Sequence, residues 1–96
     1  MTNSLILHTS DAVAVVTETI SKGNGVTYVS GGQEVTIKAT DNIPIYHKVA
    51  VKNVPKGSSV IKYGAVIGYA TADIRIGDYV HTQNLSDLVS REGMSR

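Results

Sequence analysis

The chain has 96 residues, 42% of them hydrophobic, with no Cys, Trp or Phe and a net charge of +1. That length makes one domain with a lean core of Val, Ile, Leu, Ala and Tyr, and it excludes disulfide staples and thiolate metal sites. The near-neutral balance gives no reason to invoke nucleic acid. No apolar run approaches the roughly 20 residues of a membrane span, and no signal-peptide pattern is present, so a cytoplasmic protein is expected.

In chain order, Met1 to Asn3 are expected to fray. Ser4 to His8 is a short apolar run suited to a strand, and His8 to Asp11 is turn-like. Ala12 to Thr17 (AVAVVT) predicts a buried strand whose small alanines allow another strand to come close. Gly23-Asn24-Gly25 marks a loop, and Gly31-Gly32 a hairpin between Val26–Ser30 and Gln33–Ala39. In the second of these runs Val35 and Ile37 alternate with polar residues, as on a half-exposed strand.

Pro44 holds Ile43 extended. After it, His47 to Val54 predicts a strand with Val49 and Val51 inward and Lys48 and Lys52 on the other face. Pro55-Lys56-Gly57 is a turn, Lys62-Tyr63-Gly64 another, and Val66 to Ala70 a strand whose Gly68 marks a close approach. The phrases Val54 to Gly57 and Ile74 to Asp78 are alike but too short to define a repeat. Tyr79 to Thr82 is the last predicted strand. Asn84 to Glu92 could start a helical turn with Leu85, Leu88 and Val89 on one face. Residues 86–96 are expected to be a flexible or partner-docking tail.

Charge is unevenly spread. Residues 1–42 carry two Lys against four acids, whereas residues 43–85 carry four Lys and one Arg against two Asp. The positive half suits an anionic small molecule, although a solvated lysine face explains the same count. Three clusters could carry chemistry. His47-Lys48 can bind a carboxylate and move a proton near neutral pH. Lys62-Tyr63-Gly64 offers a cation, a phenol and close backbone approach. His81-Thr82-Gln83-Asn84, read as strand, puts His81 and Gln83 on one face and Thr82 and Asn84 on the other. A strand-capping histidine, a core tyrosine and a polar strand end account for the same residues without function. No nucleophile elbow or phosphate-binding glycine loop is present.

Most densely over Ile43 to Leu85, and across nearly the whole chain, the sequence resembles the SAF domain of the altronate/galactarate dehydratase family. The resemblance rests on Ile43-Pro44-Ile45-Tyr46-His47-Lys48-Val49-Ala50, on Ile61-Lys62-Tyr63-Gly64 with Ile67-Gly68 and Ala70-Thr71, and on Ile76-Gly77 with Val80-His81-Thr82-Gln83-Asn84. Two positions depart from the family pattern: Tyr46 stands where a Gly is usual, and Gln83 where a second His is usual. The resemblance implies a mainly β fold, the SAF β-clip of short strands and hairpins. It implies His47 and His81 as catalytic residues, and Lys48, Lys62, Tyr63, Gly64, Asn84 and, at the site rim, Asp11 as substrate-binding residues.

It further implies a small subunit of a sugar-acid dehydratase that eliminates water to leave a 2-keto-3-deoxy acid. A divalent metal, Fe2+ or Mn2+, would be held mainly by a separate large subunit, this chain supplying no metal site. Expected partners are that subunit and an anionic sugar acid, with a homo-oligomer of the chain also compatible, and with neither nucleic acid nor membrane; the isolated chain is expected to be inactive. Sulfolactate sulfo-lyase resembles the same family, and a non-catalytic SAF module binding a sugar or a partner is the reading from another class.

Overall fold

The structure, a computed structural model, describes residues 1–87. Among these residues nine short strands form three antiparallel sheets: β1 (Ser4–Leu5), β2 (Val13–Val16), β3 (Gly25–Ser30), β4 (Gln33–Lys38), β5 (Lys48–Ala50), β6 (Ser59–Lys62), β7 (Ala65–Ala70), β8 (Tyr79–Val80) and β9 (Leu85–Asp87). Strands β1-β2-β5-β8 make a four-stranded sheet, β3-β4 a ribbon, and β6-β7-β9 a three-stranded sheet. The mainly β architecture expected from the family is the one observed.

The continuous apolar run in β2 is explained by burial on both faces. Val13 and, across the sheet, Ala50 of β5 face one core with Val54, Val60, Ala70, Ile74 and Val80. Ala14, Val16 and Val49 face a second core with Ile20, Val26, Tyr28, Ala39, Ile43 and Val51. Ala14 pairs with Val49, the close approach that small side chains permit. The expected lysine face is absent, because β5 ends at Ala50. Lys48 is half-buried, and Lys52, beyond the strand, donates from Nζ to the Thr9 carbonyl at 2.8 Å.

A repeated eight-residue loop organises both cores. It begins at Thr17, Thr40, Val51 and Thr71, and in each copy a buried Ile or Val occupies the fourth position: Ile20, Ile43, Val54 and Ile74. The seventh position has positive φ in every copy, at Gly23, Tyr46, Gly57 and Gly77. The copies pair two by two, through bridges Ile20–Ile43 and Val54–Ile74. Each pair is clasped by the same two side chain–backbone bonds. Lys22 N donates to Asn42 Oδ1 and Ile45 N to Thr19 Oγ1; equivalently, Lys56 N donates to Asp73 Oδ1 and Ile76 N to Asn53 Oδ1. The fold is thus internally duplicated, with a hairpin between the two loops of each pair.

Both hairpins close on two residues of positive φ, Gly31-Gly32 and Tyr63-Gly64, the geometry of a type I′ turn. Gly68 confirms the expected close approach: a Cβ there would run into the Ser86 carbonyl of β9. Three local expectations change. Asn3 is held, its amide group exchanging bonds with Gly25 O and Thr27 N of β3. Only Ser4–Leu5 of the first run is strand, since Leu7 N and His8 N turn to the Asp11 carboxylate. Residues 85–87 pair with β7 as a strand rather than opening a helical turn; the rest of that helix and of the predicted tail lies outside the described residues.

Candidate functional site

The charged and aromatic motif residues gather where β5, β6 and β8 end. A cleft of about 380 Å³ is lined by Lys48, Lys62, Ile67, His81, Thr82 and Leu85. Lys48 enters from the start of β5 and Lys62 from the end of β6. Among the described residues neither ammonium has a carboxylate partner; the ion pair found there joins the N-terminus to Glu34. Burial, and secondly the Lys62 charge, hold the Lys48 ammonium below the ordinary lysine range. Two unneutralised cations in one concave site favour an anion between them.

Beside the cleft, three rings pack together. His47 and His81 stack with centroids 5.2 Å apart and planes 16° from parallel. Tyr79 lies 5.6 Å from each ring, and its hydroxyl is 2.6 Å from His47 Nδ1. The sequence motifs do not single out Tyr79. The signal that could have found it is its place two residues before His81, which in an extended segment puts both on one face.

The turn carrying His81 differs from the strand expected at 81–84. β8 ends at Val80, and His81 N donates to Asn84 Oδ1 at 3.0 Å while Asn84 Nδ2 donates to Tyr79 O at 2.9 Å. Gln83 Nε2 donates to the same carbonyl. Asn84 is buried and both ends of its amide serve the backbone, so it holds the His81 turn in place. His81 and Gln83 therefore do not share a strand face.

Asp11 is also structural in its contacts. Its side chain is buried, at 1% exposure, and accepts Gly64 N at 2.9 Å on one oxygen and Leu7 N at 3.1 Å and His8 N at 3.3 Å on the other. Burial pushes its carboxyl up, but these donors together with Tyr63 N outweigh it and leave the group below its ordinary value. Asp11 thereby anchors the Tyr63-Gly64 turn from beneath instead of standing at the rim. Gly64 packs under the His8 ring, which a Cβ would meet at 2.9 Å. Tyr63 is 44% exposed, with Lys62 Nζ 4.8 Å from its ring centroid. The sequence-predicted residues thus divide: Lys48, Lys62 and His81 line the cleft, His47 adjoins it through His81, Tyr63 flanks Lys62, and Asp11, Gly64 and Asn84 shape the turns that present them.

No three His, Cys, Asp or Glu side chains converge among the described residues. The donors seen do not amount to a three-ligand metal site, so the described residues do not fit a metal centre of their own.

Comparison with known proteins places the sequence in a family. The altronate/galactarate dehydratase SAF domain matches residues 2–88. The chain is 41% identical over 86 residues to altronate dehydratase of Escherichia coli K12 and 34% identical over 92 residues to that of Bacillus subtilis 168. Those matches cover 85% and 92% of this chain but 17% and 18% of the relatives, so the chain spans less than a fifth of their length. It is also 33% identical over 89 residues to (2R)-sulfolactate sulfo-lyase subunit alpha of Chromohalobacter salexigens, covering 88% of this chain and 95% of that subunit. The chain belongs to the altronate/galactarate dehydratase SAF domain family, and these relatives are lyases. No helix among the described residues is long and apolar enough to cross a membrane.

Proposed function

We propose that the chain is the small, site-closing part of a cytoplasmic sugar-acid dehydratase acting on altronate, galactarate or a similar hexonate or hexarate. The observation that carries this reading is the pair of ammoniums, Lys48 and Lys62, without a carboxylate partner among the described residues, in a cleft that His81 also lines. A substrate carboxylate between the lysines pairs with both and offsets one of their two charges. The exposed Thr82 and Tyr63 hydroxyls are suited to hydroxyl groups of a sugar chain. Ile67 and Leu85 give the cleft an apolar wall.

In the reaction a base removes the proton next to the carboxylate, its electron pair forms the carbon–carbon double bond, and the neighbouring hydroxyl departs as water after taking up a proton. The enol then becomes the 2-keto-3-deoxy acid. His47 and His81 are the acid–base and hydrogen-bonding groups this chain contributes. A larger partner chain supplies the remainder, including a divalent ion, Fe2+ or Mn2+. A second reading, the alpha subunit of a sulfolactate sulfo-lyase with sulfite as the leaving group, is favoured by the match over 95% of such a subunit.

The test is to co-purify the chain with a candidate large chain and assay keto-acid formation from altronate and galactarate, with sulfite release from sulfolactate in parallel. Keto acid that requires both chains and a divalent ion supports the dehydratase, and sulfite release moves the assignment to the sulfo-lyase. A chain that binds no partner and turns over neither class refutes both and leaves a binding module.

A further inference from the structure

Tyr79 is half-buried, and its hydroxyl has one protein neighbour at hydrogen-bond distance among the described residues, His47 Nδ1 at 2.6 Å. At neutral pH the phenol is a donor, and an imidazole nitrogen accepts only when it carries no proton. A donated Tyr79 O–H therefore leaves the ring proton of neutral His47 on Nε2. The opposite tautomer would donate Nδ1–H to the phenol oxygen and strip the phenol proton of its one protein acceptor. When His47 is charged both nitrogens carry protons, Nδ1–H turns to the phenol oxygen, and Nε2 is still N–H. In each charge state the free edge of the ring presents a donor. His47 Nε2 has no hydrogen-bond partner among the described residues, so that donor is available to a ligand.

We infer that Tyr79 is a positioning residue that fixes His47 as an Nε2–H hydrogen-bond donor toward the anionic substrate, leaving the proton-accepting role to another group such as His81. This deepens the proposed function and rests on its reading of the cleft as a substrate site, but the tautomer itself can be measured without turnover. The division has a geometric basis: His47 stacks on His81, which itself lines the cleft, while Nδ1 of His47 is taken up by Tyr79.

The first measurement is long-range proton–nitrogen correlation of the histidine rings in the labelled chain, for the native protein and for Tyr79→Phe. The expected pattern of the neutral native ring is Nε2–H with unprotonated Nδ1, and the Nδ1 resonance shifts when the phenol hydroxyl is removed. An Nδ1–H form as the main native species, or an Nδ1 resonance indifferent to Tyr79→Phe, overturns the inference. The second measurement uses the active complex found by co-purification. Tyr79→Phe lowers kcat about tenfold, the worth of one hydrogen bond, with KM little changed. His47→Gln, which keeps an N–H near the Nε2 position, retains activity within about tenfold of native, while His47→Leu loses about 100-fold or more. Equal inactivity of His47→Gln and His47→Leu, with both folded by circular dichroism, refutes the donor role. A complex inactive with every substrate refutes the proposed function while leaving the nitrogen spectra to decide the tautomer.

Discussion

Replacing Asp11 by Asn tests how the Lys62 side of the cleft is held. The buried carboxylate accepts backbone N–H groups from Leu7 and His8 on one oxygen and from Gly64 on the other. It thus ties the N-terminal loop to a turn whose Tyr63 and Gly64 both have positive φ. Left-handed backbone costs a non-glycine residue about 1 kcal/mol or more, and the carboxylate offsets that cost. Asn retains one acceptor oxygen and sets an NH2 group against the donors facing the other, so the loss is about 2 kcal/mol, the scale of one hydrogen bond to a charged acceptor.

For a domain this small, that corresponds to a drop in Tm of about 10 °C. Because the folded-state pKa of Asp11 lies below its unfolded value, its stabilisation is fully present above the unfolded pKa of about 3.9 and disappears as pH falls through the folded one. Thermal melts by circular dichroism from pH 7 to pH 2 should show native and Asp11→Asn curves converging in acid. A variant melting within about 3 °C of native at pH 7, or a difference that persists undiminished at pH 2, refutes the anchoring role.

The repeated loop makes Tyr46 the one copy of its turn position without Gly. Tyr46→Gly should stabilise the chain by about 0.5 kcal/mol, strain relief of about 1 less the added unfolded-state freedom of glycine; a loss of stability in urea titration contradicts the strain. Gly68→Ala pushes a Cβ into the Ser86 carbonyl, so β9 should leave β7, read as faster amide exchange in residues 85–87 and a loss of about 2 kcal/mol; unchanged exchange contradicts the close approach. Galactarate at about 100 times its Kd should stabilise the native chain by about 2.7 kcal/mol, and Lys48→Met with Lys62→Met should abolish the shift; an undiminished shift would place the anion elsewhere. Binding should also raise the Lys48 pKa from its depressed position, read as proton uptake in alkaline calorimetry, since the anion reverses the Lys62 repulsion.

Local chemistry made much of this legible. Gly31-Gly32 marked one hairpin and Tyr63-Gly64 the other, because a two-residue reversal needs positive φ. The alternation of Val35 and Ile37 marked β4 as half-exposed. The internal duplication was visible only in the similar phrases at Val54 and Ile74. The copies at Ile20 and Ile43 carry different turn residues, and their kinship lies in backbone shape and paired bridges. Asn84 and Asp11 read as polar groups available to a ligand, and their commitment to backbone N–H groups depended on turns that composition does not specify.

What the sequence determined by itself was the β class, the family and the presence of two imidazoles and two lysines at the ends of strands, because period-two patterning, turn residues and linked motifs are local properties. What only the tertiary structure decided was which of those groups meet. Lys48 and Lys62, or His47 and Tyr79, lie many residues apart; the second pair meets through the antiparallel register of β5 with β8, and the first through the docking of β6 on the four-stranded sheet, where Ala12 N donates to Ile61 O. Register and docking are set by burying one particular set of apolar faces, a choice made by the packing of the whole chain.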